Sequence, residues 1–339
     1  MNRLLPSGPT LPPLFLRIPS FISLLGSLVL TASFPSRAQR VASAAPQPQR
    51  VDTTASFTLP FDLVGGLIVL RNLTLNGQQG DFLLDTGNTT ALAVESTAFM
   101  DQLQPSSSHA VGHGATGTVA VQELPVTNFQ VGAAHYSGFI AQAFSLAAIR
   151  RYVGPRLLGL IGYGLLREYE IVIDYPHRRV SWYSLNVAQP TRRPFVRQDS
   201  LAFTLVRGAP VATGSIGQVP VQLMLDTGAA ASNLDTAFCQ TLAPADQPTS
   251  GRREPIAGSD NHQQLAHQGT LPTLLLGSTT WQNLPVVVFP LSQPVSGRAL
   301  GYQGILGYPF FIQHKVISFH YGRQQFYSLT PSVPAKAAP

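Results

Sequence analysis

One stretch of this chain occurs twice. Gly80-Asp81-Phe82-Leu83-Leu84-Asp85-Thr86-Gly87 returns as Val221-Gln222-Leu223-Met224-Leu225-Asp226-Thr227-Gly228, with the aspartates 226 − 85 = 141 residues apart. Gly159-Leu160-Ile161-Gly162-Tyr163-Gly164-Leu165-Leu166 returns as Gly304-Ile305-Leu306-Gly307-Tyr308-Pro309-Phe310-Phe311, at an offset of 145. Tyr183-Ser184-Leu185 returns as Tyr327-Ser328-Leu329, at an offset of 144. Three features in one order, at nearly one spacing, describe two related lobes, and such a repeat restricts the fold before any motif is considered.

Local patterns make those lobes all-β. The chain carries 29 Gly and 28 Pro in 339 residues, so turns are frequent and long helices are disfavoured. Leu73-Thr74-Leu75, the turn Asn76-Gly77 and Asp81 to Leu84 read as a hairpin. Val211 to Ile216, Gly217-Gln218 and Val221 to Leu225 repeat it. A second hairpin type runs from Ile171 through Tyr175-Pro176-His177-Arg178 to Tyr183, with Val316 to His320 and Gln325 to Leu329 as its counterpart. The expected organisation is an N-terminal lobe over 53–187, a proline-bounded linker over 188–197 and a C-terminal lobe over 198–330. Residues 39–52 and 331–339, rich in Ala, Pro and Gln, are expected to be disordered.

Residues 1–38 read as a targeting segment. Arg3 and Arg17 precede the apolar run Phe21 to Leu30, and Ser36-Arg37-Ala38 suits signal-peptidase cleavage before Gln39. The expectation is an exported protein, periplasmic or secreted, or anchored in the membrane through an uncleaved N-terminus. The apolar run is short beside the ~20 residues of a membrane span.

Several function classes lose support. The net charge is +6, but the basic residues are scattered in pairs such as Arg150-Arg151 and Arg252-Arg253, which argues against nucleic-acid binding. Cys239 is the only cysteine, reads as a buried apolar residue, and has no cationic neighbour in sequence to make it a nucleophile. His113, His135, His262 and His267 lack metal-ligand spacing. No metal and no cofactor are expected.

The repeated aspartates remain. Each follows an apolar strand, so each carboxyl is delivered from a buried strand end into a turn. A pseudo-twofold pairing of the lobes would bring the turns together. Two such close carboxyls do not readily both ionise, and share a proton instead. One can then act as general base on water while the other donates a hydrogen bond to a substrate carbonyl. Thr86 and Thr227 can hydrogen-bond across the interface, and Gly87 and Gly228 let backbone N–H groups approach the carboxylates.

On these residues the sequence resembles the pepsin and retropepsin superfamily of aspartic peptidases, over roughly residues 55 to 329. The resemblance implies a bilobal acid-protease fold with the Asp85/Asp226 dyad between two β-barrel-like lobes. It implies that Leu160-Ile161-Gly162 and Ile305-Leu306-Gly307 pack beneath the two turns. It also implies glycine-rich flaps over the dyad. Val111 to Gly117, including Gly112, His113, Gly114 and Ala115, and Ile256 to Asn261, including Gly258 and Ser259, lie at suitable intervals. Ala229 follows the second turn as in retropepsin-like sequences, where pepsin-like ones place Ser or Thr. Without that hydroxyl donor, a less acidic working range is expected. Asn88 departs from both patterns; it could supply the missing donor or crowd the site.

The reading is an aspartic endopeptidase acting on peptide or protein substrates, a monomer whose lobes pair within one chain. The alternative is a catalytically silent bilobal protein that binds peptide in the same cleft.

Overall fold

The computed structural model describes residues 46–52, 55–105, 118–186, 195–258, 263–291 and 301–332, with the backbone of Ser23–Leu25, Val29–Thr31 and Val111–His113. Nearly all of the regular structure is β, and the short helices sit at strand ends.

The hairpins form where the turn residues permit. Leu67–Leu75 and Gln78–Leu84 pair antiparallel with Leu75 opposite Gln78. The two residues between them, Asn76 and Gly77, have φ of 46° and 83°, the left-handed pair that a two-residue hairpin loop requires. Ala209–Ile216 and Val219–Leu225 repeat the unit, closing at Ile216 opposite Val219 with Gly217 at φ 57°. The later hairpins also form: Asp174 pairs with Arg179, and His320 with Gln325.

Each lobe then makes one non-local insertion. In the first, Leu157–Ile161 runs parallel to Gln78–Leu84 and antiparallel to Leu92–Glu95, so it lies between two strands separated by the dyad turn. In the second, Gly304–Leu306 lies likewise between Val219–Leu225 and Asn233–Asp235. These inserted strands are fully buried, which explains their unbroken apolar sequences.

The halves meet in a six-stranded layer with three strands from each. Its order is Phe195–Val206, Gln325–Pro331, Val316–His320, Tyr169–Asp174, Arg179–Ser184, Ser56–Pro60. At its centre Tyr169–Asp174 and Val316–His320 pair antiparallel, with Val172 opposite Ser318. These two residues are 318 − 172 = 146 apart, close to the repeat spacing, so the pseudo-twofold axis passes here. The bilobal aspartic-peptidase architecture expected from the repeat is the observed one.

Aromatic contacts reinforce the axis. Tyr163 of the first lobe packs on Tyr321 of the second at 5.7 Å, and Tyr308 of the second on Tyr175 of the first at 5.9 Å. The two contacts are each other's pseudo-twofold copies. Beneath them Phe310, Phe311, Phe319 and Phe326 form a continuous buried cluster.

The predicted linker residues 188–194, most of the targeting segment and residues 333–339 lie outside the described residues. No described helix is long and apolar enough to cross a membrane. Within the targeting segment, Ser23–Leu25 and Val29–Thr31 are strands paired to the body of the chain.

The central cluster sets a stability test. Phe311 is fully buried, so Phe311→Ala should cost about 3–5 kcal/mol in urea unfolding, from lost burial and an unfilled cavity.

Candidate active site

Each aspartate is held at a strand end by its inserted neighbour. The Asp85 N–H donates to the Ile161 carbonyl at 3.0 Å, and the Asp226 N–H to that of Leu306 at 2.9 Å. Leu160, Ile161, Ile305 and Leu306 are buried as the resemblance implies. A Cβ on Gly162 would lie 2.5 Å from the Asn88 and Thr90 carbonyls, and one on Gly307 2.5 Å from that of Ala229. Only glycine lets these strands run so close beneath the turns.

The turns interlock through their threonines. The Thr86 hydroxyl donates to the Leu225 carbonyl at 2.7 Å and accepts the Thr227 N–H at 2.9 Å. Reciprocally, the Thr227 hydroxyl donates to the Leu84 carbonyl at 2.7 Å and accepts the Thr86 N–H at 3.1 Å. All four bonds cross between lobes and are buried, where a polar group without a partner costs most.

The carboxyls are brought against each other's turn. A Cβ on Gly87 would lie 2.5 Å from Asp226 Cγ, and one on Gly228 2.5 Å from Asp85 Cγ. Asp85 Oδ1 accepts the N–H groups of Gly87 and Asn88, each at 2.9 Å. Asp226 Oδ1 accepts that of Gly228 at 2.7 Å. Both carboxyls are completely buried. Asp85 Oδ2 receives no hydrogen bond from a backbone or hydroxyl donor among the described residues.

These surroundings hold a proton on the pair. Burial, then the Asp226 charge and its hydrogen bond, push Asp85 well above the ordinary carboxylate value; the Asn88 and Gly87 N–H groups oppose the shift without cancelling it. Two buried carboxyls holding one proton between them can polarise a water and a carbonyl at once.

Asn88 takes neither position anticipated for it. Its amide nitrogen donates to the Leu160 carbonyl at 3.0 Å, and its Oδ1 accepts the Thr90 N–H and hydroxyl at 3.1 and 2.8 Å. The side chain is thus anchored on the inserted strand and its own loop, and only the backbone N–H serves Asp85. Being fully buried, Asn88 has no room for a glycan. Ala229 is also fully buried and packs with Met224, Ile305 and Tyr302.

The flap candidates fall on strands in both lobes. Gly112 and His113 belong to Val111–His113, paired with Thr118–Ala120; Gly114 and Ala115 lie outside the described residues. Gly258 ends Arg253–Gly258, paired with Gln263–Leu276; Ser259 lies outside. Each hairpin is rooted near a dyad turn. Val119 packs with Leu83, Leu160 and Ala230, while Ile256 packs with Met224, Ala229 and Tyr302.

Two tyrosines near the dyad stand outside the motifs. Tyr321 is buried, its hydroxyl has no partner among the described residues, and burial together with the charge of Asp85 raises its pKa. Tyr302 is raised by burial and by the charge of Asp226. Tyr321 had a signal in the repeat, since Tyr175 and Tyr321 each follow the first strand of equivalent hairpins. Tyr302 had none. Cys239 is buried, and burial lifts its thiol to about 11, so it stays protonated and inert. No three His, Cys, Asp or Glu side chains converge as metal ligands among the described residues.

Two outcomes follow from this geometry. Thr86→Ala and Thr227→Ala should each cost about 1–3 kcal/mol in chemical unfolding, because each strands a buried carbonyl and a buried N–H of the other lobe. Asp85 adds a pH dependence. With its folded pKa raised, the folded state binds the proton more tightly; stability is fully present below the ordinary value near 3.8 and is lost as pH rises through the folded value. Asp85→Asn should therefore raise Tm at neutral pH and change it little below that ordinary value, in scans across pH.

A family model described as aspartyl protease matches residues 212–310, a span that contains the Asp226 turn and the inserted strand Gly304–Leu306. No curated protein matches the chain. Among solved structures, basic 7S globulin from soybean is similar at 13% identity and a TM-score of 0.43, over 84% of this chain and 97% of that one. With its two Asp-Thr-Gly turns interlocked across a pseudo-twofold axis, and with the aspartyl protease match over the second of them, the chain belongs to the aspartic peptidase superfamily.

Proposed function

We propose that this protein is an aspartic endopeptidase with Asp85 and Asp226 as its catalytic pair. The observation that carries the reading is the mutual burial of the two carboxyls, each against the other turn's glycine, with one of them held above its ordinary pKa.

In this reading a water lies between the carboxyls. The ionised member takes a proton from it as the water oxygen attacks the scissile carbonyl carbon. The protonated member donates to the carbonyl oxygen as negative charge develops there. The tetrahedral intermediate collapses with proton transfer to the leaving nitrogen, and the shared proton is restored. The threonine network keeps both turns still, so little reorganisation is needed at the moment of reaction. No metal, cofactor or covalent intermediate enters. Glycine-rich hairpins from both lobes would cover an extended peptide.

The protein acts as a monomer with its lobes paired in one chain, and is exported through its N-terminal segment. The peptide-binding alternative shares the cleft and differs only in turnover, so one assay separates them. The full chain, its first 38 residues removed by an inserted cleavage site, is incubated with a mixed peptide library across pH, beside an Asp226→Asn form. Hydrolysis by the parent that disappears in the variant is expected; peptide binding by both without hydrolysis would overturn the reading. Activity should fall as pH rises through the raised Asp85 value, because a fully ionised pair has no proton to donate. A rate optimum below about pH 3 would contradict the milder range expected from Ala229.

A further inference from the structure

The apolar N-terminal segment is joined to both candidate flaps at once. Ser23–Leu25 lies parallel to Ile256–Gly258, with Leu24 opposite Ala257. Val29–Thr31 lies antiparallel to Val111–His113, with Leu30 opposite Gly112. One hairpin belongs to each lobe. From Leu25 to Val29 the chain advances four residues, a reach of at most about 14 Å at extended-strand rise. The segment therefore bridges the two hairpins across the space between the lobes. Both hairpins are rooted beside the dyad turns, one through Val119 with Leu83 and Ala230, the other through Ile256 with Ala229.

The bridging sequence suits that place. Between Arg17 and Arg37 the chain carries no charged residue, and Phe21 to Leu30 is apolar apart from Ser23, Gly26 and Ser27. It binds by main-chain pairing on two strand edges, a mode that recognises extended backbone whatever its sequence and leaves side chains to set preference. An extended peptide held by both hairpins is also the form in which a substrate would meet the dyad.

We propose that the groove between the hairpins binds an extended, uncharged, apolar peptide by strand addition to both lobes, and that residues Ser23 to Thr31 are its resident occupant. The full-length chain is then latent, and severing the segment after Ala38 opens the groove. The latency rests on the endopeptidase reading above; the occupancy does not. Tethering gives the segment a high effective concentration, so it outcompetes free peptides of similar intrinsic affinity.

The occupancy is read by cross-linking, independently of catalysis. In the full chain with Cys239→Ala, the pairs Leu24→Cys with Ala257→Cys and Val29→Cys with His113→Cys are treated with a short bis-maleimide. Intramolecular cross-links in both pairs are expected, and their loss on adding excess synthetic peptide spanning residues 19–33. Absence of cross-linking in both pairs overturns the proposal, whether or not the protein hydrolyses peptides.

Latency is read with a specific cleavage site inserted between Ala38 and Gln47. Cutting should raise peptide hydrolysis about tenfold if the segment fills the groove about nine-tenths of the time, and the synthetic peptide should reverse the gain. Equal activity before and after cutting overturns the latency. A cut chain that binds the peptide but hydrolyses nothing supports the groove assignment and overturns the endopeptidase reading instead. Leu24→Asp with Leu30→Asp gives a second route. Charging the segment should release it and activate the uncut chain, and unchanged activity in a chain that cutting activates counts against an apolar preference.

Discussion

Two carboxyl groups can be buried against each other only if they hold a proton between them, and this constraint organises the rest of the structure. Ionising both in a water-poor interface would set like charges together without solvent to screen them. The backbone N–H groups of Gly87, Asn88 and Gly228 stabilise one negative charge, and burial keeps the proton on the pair. Such an arrangement is sensitive to fractions of an ångström. The four threonine bonds, the inserted strands and the glycines beneath the turns all hold the two carboxyls in one geometry.

Pseudo-twofold symmetry achieves that with little sequence. Every device occurs twice: the threonine donating to the other lobe's strand, the glycine admitting the other lobe's carboxyl, the tyrosine packing on its counterpart's partner. The central pairing of Val172 with Ser318 fixes the axis, and the aromatic cluster beneath keeps it from shearing. The symmetry ends at position 88. Asn88 ties its loop to the Leu160 carbonyl, whereas the corresponding Ala229 packs in an apolar cluster. The second lobe instead ties its inserted strand down through Ser232, whose hydroxyl oxygen accepts the Gly307 N–H at 3.1 Å. The two lobes solve the same anchoring problem with different polar groups.

The edges of the two hairpins are the other consequential feature. Unpaired strand edges invite a further strand, and here the chain's own apolar N-terminus supplies one to each lobe. A segment that reads as an export signal thereby acquires a second proposed task in the same molecule.

Much of this was legible in the residues, for identifiable reasons. Hairpins set by Asn76-Gly77 and Gly217 follow from turn chemistry, and buried strands such as Gly304–Leu306 from short apolar runs; both are local properties. The pairing of Asp85 with Asp226 was accessible because a repeat encodes a symmetry, and a symmetry predicts a contact 141 residues apart. Asn88 was not legible, because an amide's partner depends on which carbonyl folding brings within 3 Å. Nor was Tyr302, whose closeness to Asp226 arises from a loop's path, nor the pairing of Leu24 with Ala257, which no local pattern specifies. The sequence by itself determined two β lobes, each presenting one aspartate at a strand end. Only the tertiary structure decided how those aspartates share a buried environment, which side chains stay clear of them, and what lies across the hairpins above. Hydrogen-bond partners and electrostatic neighbours are set by distance in space, which turn propensity and periodicity do not encode.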